Sequence, residues 1–202
     1  MKIKEIQIDG IITKKDLENG NLILLTGRPA VGKTRTCCEL FKTYSKSFNC
    51  LYFDISGEES AYFFDYKNIK GVVNDYMSSI EIAKKIQYEA KHNVLRVVFI
   101  DYWQLLDDRK DWFLKILLEI SWSYGVVFVI TSQLSRNVEK RKNHLPNRKD
   151  LDSIGNLGIM ARKQIVIGRP AIYSSLPIAD VLKYYVYKDW SNSSILQDKK
   201  TD

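Results

Sequence analysis

Four short apolar runs stand out along the chain. Leu22-Ile23-Leu24-Leu25-Thr26 follows the turn signal Asn19-Gly20. Leu51-Tyr52-Phe53-Asp54-Ile55 is the second run, Leu95 to Ile100 the third, ending on Asp101, and Val126 to Thr131 the fourth. Each is continuous rather than alternating, the pattern of strands buried on both faces. Val72-Val73, Ile165-Val166-Ile167 and Tyr184-Tyr185-Val186-Tyr187 read as further, weaker strands. Between the strong runs the spacing becomes helical. Residues 33–47 carry Leu40, Phe41 and Tyr44 on one face, and Ser56 to Ser60 turns into a further helix. Ser78 or Ser79 caps a helix through about His92 that carries Ile82, Ile86 and Ala90. Residues 110–123 form an unusually apolar helix, broken by Gly125, that suits core and subunit contact. The segment 133–150 reads as a polar loop, and the tail from about Gln197 as frayed.

Strands alternating with helices imply βαβ units and a mostly parallel, twisted sheet flanked by helices, the α/β class. No repeat, low-complexity tract or linker divides the 202 residues, so positions 1–202 read as a single domain. Composition is ordinary for a globular protein, 45% hydrophobic and 27% charged. No apolar run approaches the ~18 residues of a membrane helix. Cys37, Cys38 and Cys50 are odd in number and lack zinc-ligand spacing, which points to a reducing cytoplasm. The net charge of +7 favours polyanionic partners. Much of it is concentrated between Arg136 and Lys149, where six basic residues face Glu139 alone. That run either tracks phosphates or is a solvated face; His144 within it reads as exposed.

Gly27-Arg28-Pro29-Ala30-Val31-Gly32-Lys33-Thr34 completes the pattern G-x-x-x-x-G-K-[ST] after a strand and at the opening of a helix. Glycines there let the backbone curl so that its N–H groups point at phosphate, and the helix N-terminus adds positive potential. Lys33 can reach the β- and γ-phosphates, and the Thr34 hydroxyl can ligate Mg²⁺. A parallel sheet brings its strand ends to one edge. Asp101 at the end of the third run is therefore placed to hold the same ion. Glu58 or Glu59, past the second run, can orient an attacking water, and Gln133, past the fourth, can sense the γ-phosphate.

Together these segments resemble the RecA-like ATPase core of DnaB-type replicative helicases. The phosphate loop GRPAVGKT, FIDYWQLL at 99–106, TSQLSRNVEKR at 131–141, and Pro146 with Asp150-Leu151 carry the likeness. SGEES at 56–60 is similar to the related RadA branch, where Glu58 takes the catalytic carboxylate position. The resemblance implies ATP and Mg²⁺ as ligands, with Lys33 and Thr34 on phosphate and metal, Asp101 as the metal acid, and Gln133 as sensor. It also implies a hexameric ring acting on single-stranded DNA, with Arg136, Arg141 and Lys142 as candidate DNA contacts. Asp152-Ser153-Ile154-Gly155 stands where the family has Arg-Glu-Ser-Gly in a DNA-facing loop. Trp190 stands where the family has an arginine that reaches the neighbour's γ-phosphate. That last departure favours an accessory or loader protein that binds a helicase partner and uses ATP as an assembly switch. A small-molecule P-loop kinase is a distant third reading, disfavoured by SQLSR.

Overall fold

The computed structural model describes residues 4–55, 71–73, 77–106, 110–141, 146–173 and 181–189. The elements are β1 (Lys4–Ile6), α1 (Lys14–Asn19), β2 (Asn21–Gly27), α2 (Lys33–Tyr44), β3 (Asn49–Asp54), β4 (Val72–Val73), α3 (Ser79–His92), β5 (Leu95–Asp101), α4 (Lys110–Tyr124), β6 (Val127–Gln133), α5 (Arg148–Asp152), α6 (Asn156–Met160), β7 (Lys163–Gly168) and β8 (Lys183–Asp189). Single 3₁₀ turns occur at Ile8–Gly10, Trp103–Leu105, Arg136–Lys140 and Pro170–Tyr173.

The strands form one eight-stranded sheet in the order β1-β8-β7-β2-β6-β5-β3-β4. From β7 through β4 every pairing is parallel, and β8 joins β7 and β1 antiparallel at one side. The apolar runs alternate between the two faces. Leu22, Leu24, Val98, Ile100, Phe128 and Ile130 pack under α3, α4 and α6. Ile23, Leu25, Val97, Phe99, Val127 and Val129 pack under α2 and the 3₁₀ turn before α1. This is the three-layer arrangement that continuous apolar strands demand, with a core on each side of the sheet.

Ser78 caps α3 by a reciprocal box. Its hydroxyl accepts from the Glu81 N–H at 3.4 Å, and its own N–H donates to Glu81 Oε2 at 2.8 Å. In α4, Phe113, Leu114, Leu117 and Leu118 are buried, while Trp122 is 63% exposed and Trp112 is exposed as well. None of the helices among the described residues is long and apolar enough to cross a membrane.

The structure departs from the sequence reading in several places, among them an unexpected helix, α6. The expected loop 133–150 contains the 3₁₀ turn Arg136–Lys140 and the start of α5. Leu134, Val138 and Leu151 are buried against Val166 and Tyr187, so this charged stretch has an apolar underside. α2 stops at Tyr44 rather than 47. Lys4–Ile6 and Lys14–Asn19 are elements, a strand and a helix, that no strong hydrophobic period announces.

Candidate nucleotide-binding site

The site grows from the end of β2. Gly27 is register-paired with Gln133 of β6 on one side and Ile167 of β7 on the other. A Cβ at Gly27 would stand 2.7 Å from Val31 Cγ1 and 3.1 Å from the Ile167 carbonyl, so only glycine lets the loop fold back here. The crown of the loop uses left-handed backbone at Ala30 (φ 57°) and Gly32 (φ 105°). α2 then starts at Lys33 without a side-chain cap, and its N-terminus points positive potential at the loop. Lys33 Nζ donates to the Arg28 carbonyl at 2.9 Å, which folds the ammonium into the loop.

Asp101 closes the site from β5. It is 2% exposed and ringed by hydroxyl donors. Thr131 donates to Oδ1, Tyr52 to Oδ2 at 2.9 Å, and Thr34 supplies a third side-chain hydrogen bond. Burial lifts the Asp101 carboxyl above its ordinary range, the three hydroxyls oppose that, and neighbouring Asp54 adds to the lift. The Thr34–Asp101 contact brings together the two residues singled out for the metal. The Thr34 hydroxyl and the buried Asp101 carboxylate are hard oxygen donors that fit Mg²⁺, while the loop N–H groups and the inward Lys33 ammonium fit the phosphates that would carry it.

Gln133 is the last residue of β6, not a loop residue beyond it, and its side chain is exposed at the same edge. Its N–H donates to Gln104 Oε1 at 3.2 Å, while Gln104 Nε2 donates to Ser132 Oγ at 2.7 Å and to the Gln133 carbonyl at 3.2 Å. Leu134 N–H donates to the Gly27 carbonyl at 2.9 Å, tying the end of β6 to the root of the phosphate loop. Residues after β7 cover the crown. The Arg28 guanidinium lies 4.8 Å over the Tyr173 ring and donates to its hydroxyl. Leu182 packs on Gly32.

Sequence reasoning assigned no role to Asp54, Gln104, Tyr52 and Thr131. Asp54 is buried and register-paired with Asp101, and a strand ending in Asp at this edge was its available signal. Gln104 lies inside the quoted FIDYWQLL segment. No pattern singles out Tyr52 and Thr131, because both are ordinary strand residues.

Arg136 lies exposed on its 3₁₀ turn. Arg141 makes a two-pronged pair with Asp150, Nη1 to Oδ2 at 2.5 Å and Nη2 to Oδ1 at 3.0 Å. Hydrogen bonding from Arg141 holds the Asp150 carboxyl below its ordinary range. Glu58, Glu59 and the rest of SGEES, Lys142, His144, Trp190 and the tail from Gln197 lie outside the described residues.

The three cysteines, Cys37, Cys38 and Cys50, are all buried and free of disulfides. Burial pushes the Cys38 and Cys50 thiols up to about 12 and Cys37 well above its ordinary value.

A glycine loop between a central parallel strand and a helix, with an acid at the end of the next strand but one, defines a P-loop protein of the RecA-like α/β type. The chain belongs to the DnaB-like helicase C terminal domain family, whose model matches residues 65–190. The phosphate loop lies upstream of that match and stands on its own motif and geometry. Among solved structures, an isolated ATPase domain superposes with a TM-score of 0.66 at 20% identity, covering 84% of this chain and 77% of that one. A DnaB-like replicative helicase, described with its interactions with primase, gives 0.66 at 19% identity. That alignment covers 84% of this chain and 52% of the helicase, so the chain spans about half of that protein's length. At such identities the likeness is one of fold. No curated protein sequence matches the chain.

Proposed function

We propose that the chain binds ATP with Mg²⁺, hydrolyses it, and acts as a DnaB-like protein in DNA replication or another DNA transaction. The observation that carries this reading is the Thr34 hydroxyl on the Asp101 carboxylate, directly at the mouth of the glycine loop. Loop N–H groups and the first turn of α2 receive the phosphates. Lys33 exchanges the Arg28 carbonyl for β- and γ-phosphate oxygens. Thr34 and Asp101 hold Mg²⁺, which when bound offsets phosphate charge. Glu58, with Glu59 as the alternative, orients the attacking water. Gln133, fixed through its backbone by Gln104, reads the γ-phosphate. Arg136, Arg141 and Lys142 contribute contacts to single-stranded DNA. The family match supports assembly into a ring, which would bring a neighbour to the nucleotide. A second reading, an accessory or loader protein that uses ATP as an assembly switch, is favoured by Trp190 standing in place of the trans-acting arginine.

Lys33→Ala is expected to lower ATP affinity at least ~tenfold, about 1.4 kcal/mol, with the fold intact. Unchanged affinity in calorimetry would sink the phosphate-loop assignment. Steady-state ATPase with and without single-stranded DNA separates the two readings. We expect normal ATP binding with slow turnover by the protein alone, since a trans arginine is worth about 10³–10⁵ in rate. Fast, DNA-stimulated turnover by the unmodified chain would reject the switch and establish the motor.

A further inference from the structure

Among the described residues, the Tyr187 hydroxyl is a buried side-chain oxygen with no hydrogen-bond partner. Tyr187 is 4% exposed and packs among Leu134, Val138, Leu151 and Val166. Two of those neighbours border the Arg141–Asp150 pair. Arg141 N–H donates to the Val138 carbonyl at 3.3 Å, and Leu151 follows Asp150 in α5. The tyrosine therefore lies beneath the ion pair, on the strand that underlies the basic segment. Burial pushes its hydroxyl up to about 12, Asp150 adds to that push and Arg141 opposes it, so the group is a proton donor throughout the neutral range. Arg141 is 33% exposed and Asp150 11%, so the guanidinium has the wider route to solvent.

We infer that Arg141 has two positions, clamped on Asp150 in the DNA-free protein and turned outward onto a phosphate of single-stranded DNA, and that the Tyr187 hydroxyl takes over Asp150 when the guanidinium leaves. This rests on the proposed DNA-binding role of the basic segment and adds the device that sets its affinity. Asp150 Oδ2 keeps the Asn147 N–H, at 2.6 Å, in either position, because that bond caps α5. Oδ1 has Arg141 as its partner at 3.0 Å and is the atom laid bare by the exchange. A carboxylate as largely covered as Asp150 is left worse off when it loses its cation. A neighbouring O–H that is itself unsatisfied offsets that cost by forming a charge-assisted hydrogen bond. The orphaned hydroxyl thus belongs to the DNA-bound arrangement: it is unpartnered in one position of Arg141 and satisfied in the other.

The test uses the full chain and a fluorescein-labelled oligothymidylate, followed by anisotropy across a series of salt concentrations. Arg141→Ala should weaken binding and flatten the salt slope by about 0.7, one single-strand phosphate contact. Tyr187→Phe should act in the same direction, because Arg141 stays clamped, and should add nothing further in the Arg141→Ala background. Asp150→Asn should act oppositely, tightening binding about threefold or more by loosening the clamp while keeping an oxygen for the Asn147 N–H. The thermal midpoint of Tyr187→Phe should be no lower than that of the parent, since the change deletes an unsatisfied group. If Tyr187→Phe binds with the parent's affinity and slope while Arg141→Ala does not, the takeover is wrong and the DNA reading survives. If Arg141→Ala is itself indistinguishable from the parent, the takeover falls together with the Arg141 phosphate contact. A marked loss of stability in Tyr187→Phe would also overturn the inference, by showing the hydroxyl to be partnered already. Should Arg141→Ala fail to fold, the opposed shifts of Tyr187→Phe and Asp150→Asn decide the matter.

Discussion

Two buried carboxylates mark the opposite edges of the sheet, and their surroundings differ in kind. Asp101, at the C-terminal edge, is met by the neutral hydroxyls of Thr34, Tyr52 and Thr131 and sits beside a second acid, Asp54. Asp16, near the start of β2, is met by the Lys163 ammonium at 2.7 Å, by Thr13 through both its N–H and hydroxyl, and by the Asn21 side chain. The Asp16 and Lys163 side chains are 0% and 1% exposed. Burial raises both carboxyls. At Asp16 the hydrogen bonds from Lys163 and Thr13 outweigh it and hold the group below its ordinary range, whereas at Asp101 burial prevails. A carboxylate neutralised inside the protein fastens the fold. A carboxylate supplied only with neutral donors is left with charge to spend on a cation from outside. Burial alone does not tell a structural acid from a functional one; the partner does.

The most severe way to break this contrast is Lys163→Met. It strands the Asp16 charge in the interior and should destabilise the protein by about 3–5 kcal/mol in urea unfolding, whereas Lys163→Met with Asp16→Leu should recover most of the loss. Equal losses in the single and double variants would mean that packing, not charge, holds α1 in place. Asp101→Asn is expected to behave in reverse. Its urea midpoint should match or exceed the parent's, while Mg²⁺-dependent ATP turnover falls at least ~100-fold, about 2.7 kcal/mol. A destabilised Asp101→Asn with near-normal turnover would make Asp101 a second structural acid.

The smallest effect is in the acid dependence. The lowered carboxyl of Asp16 contributes stability that is fully present above the unfolded value of 3.8 and is lost as pH falls through its folded value. The raised carboxyl of Asp101 has the opposite sign. Its penalty at neutral pH is relieved as pH falls through the folded value toward 3.8. Asp101→Asn should therefore lose stability more steeply than the parent between neutral pH and acid, in urea midpoints measured along that range. Parallel curves would show that the two acids do not differ as described.

The same contrast separates what the sequence makes legible from what it does not. The phosphate-loop edge is built from backbone and strand ends, so its signal is local: Gly27 to Thr34 in order, and Asp101 closing an apolar run. The sheet and its two cores follow from runs such as Leu22–Leu25 and Val97–Ile100, whose continuity admits no solvent face. The Asp16–Lys163 clasp joins residues 147 positions apart, and each alone looks like a surface charge. Thr13-x-x-Asp16 did offer a capping-box signal for α1, muted because the helix has only six residues. β1 is three residues long, and what fixes it is its pairing with β8, a contact with no local signature. The basic segment misled for a different reason. Its charges obscure Leu134, Val138 and Leu151, the residues that decide whether it packs.

The three interior thiols have a practical side. A thiol reacts with maleimides and iodoacetamides as its thiolate, and only where reagent reaches it. Cys37, Cys38 and Cys50 satisfy neither condition. The native chain is therefore silent toward such dyes without any cysteine being removed. A cysteine introduced at an outward position such as Trp122, 63% exposed, gives a protein labelled at a single chosen site.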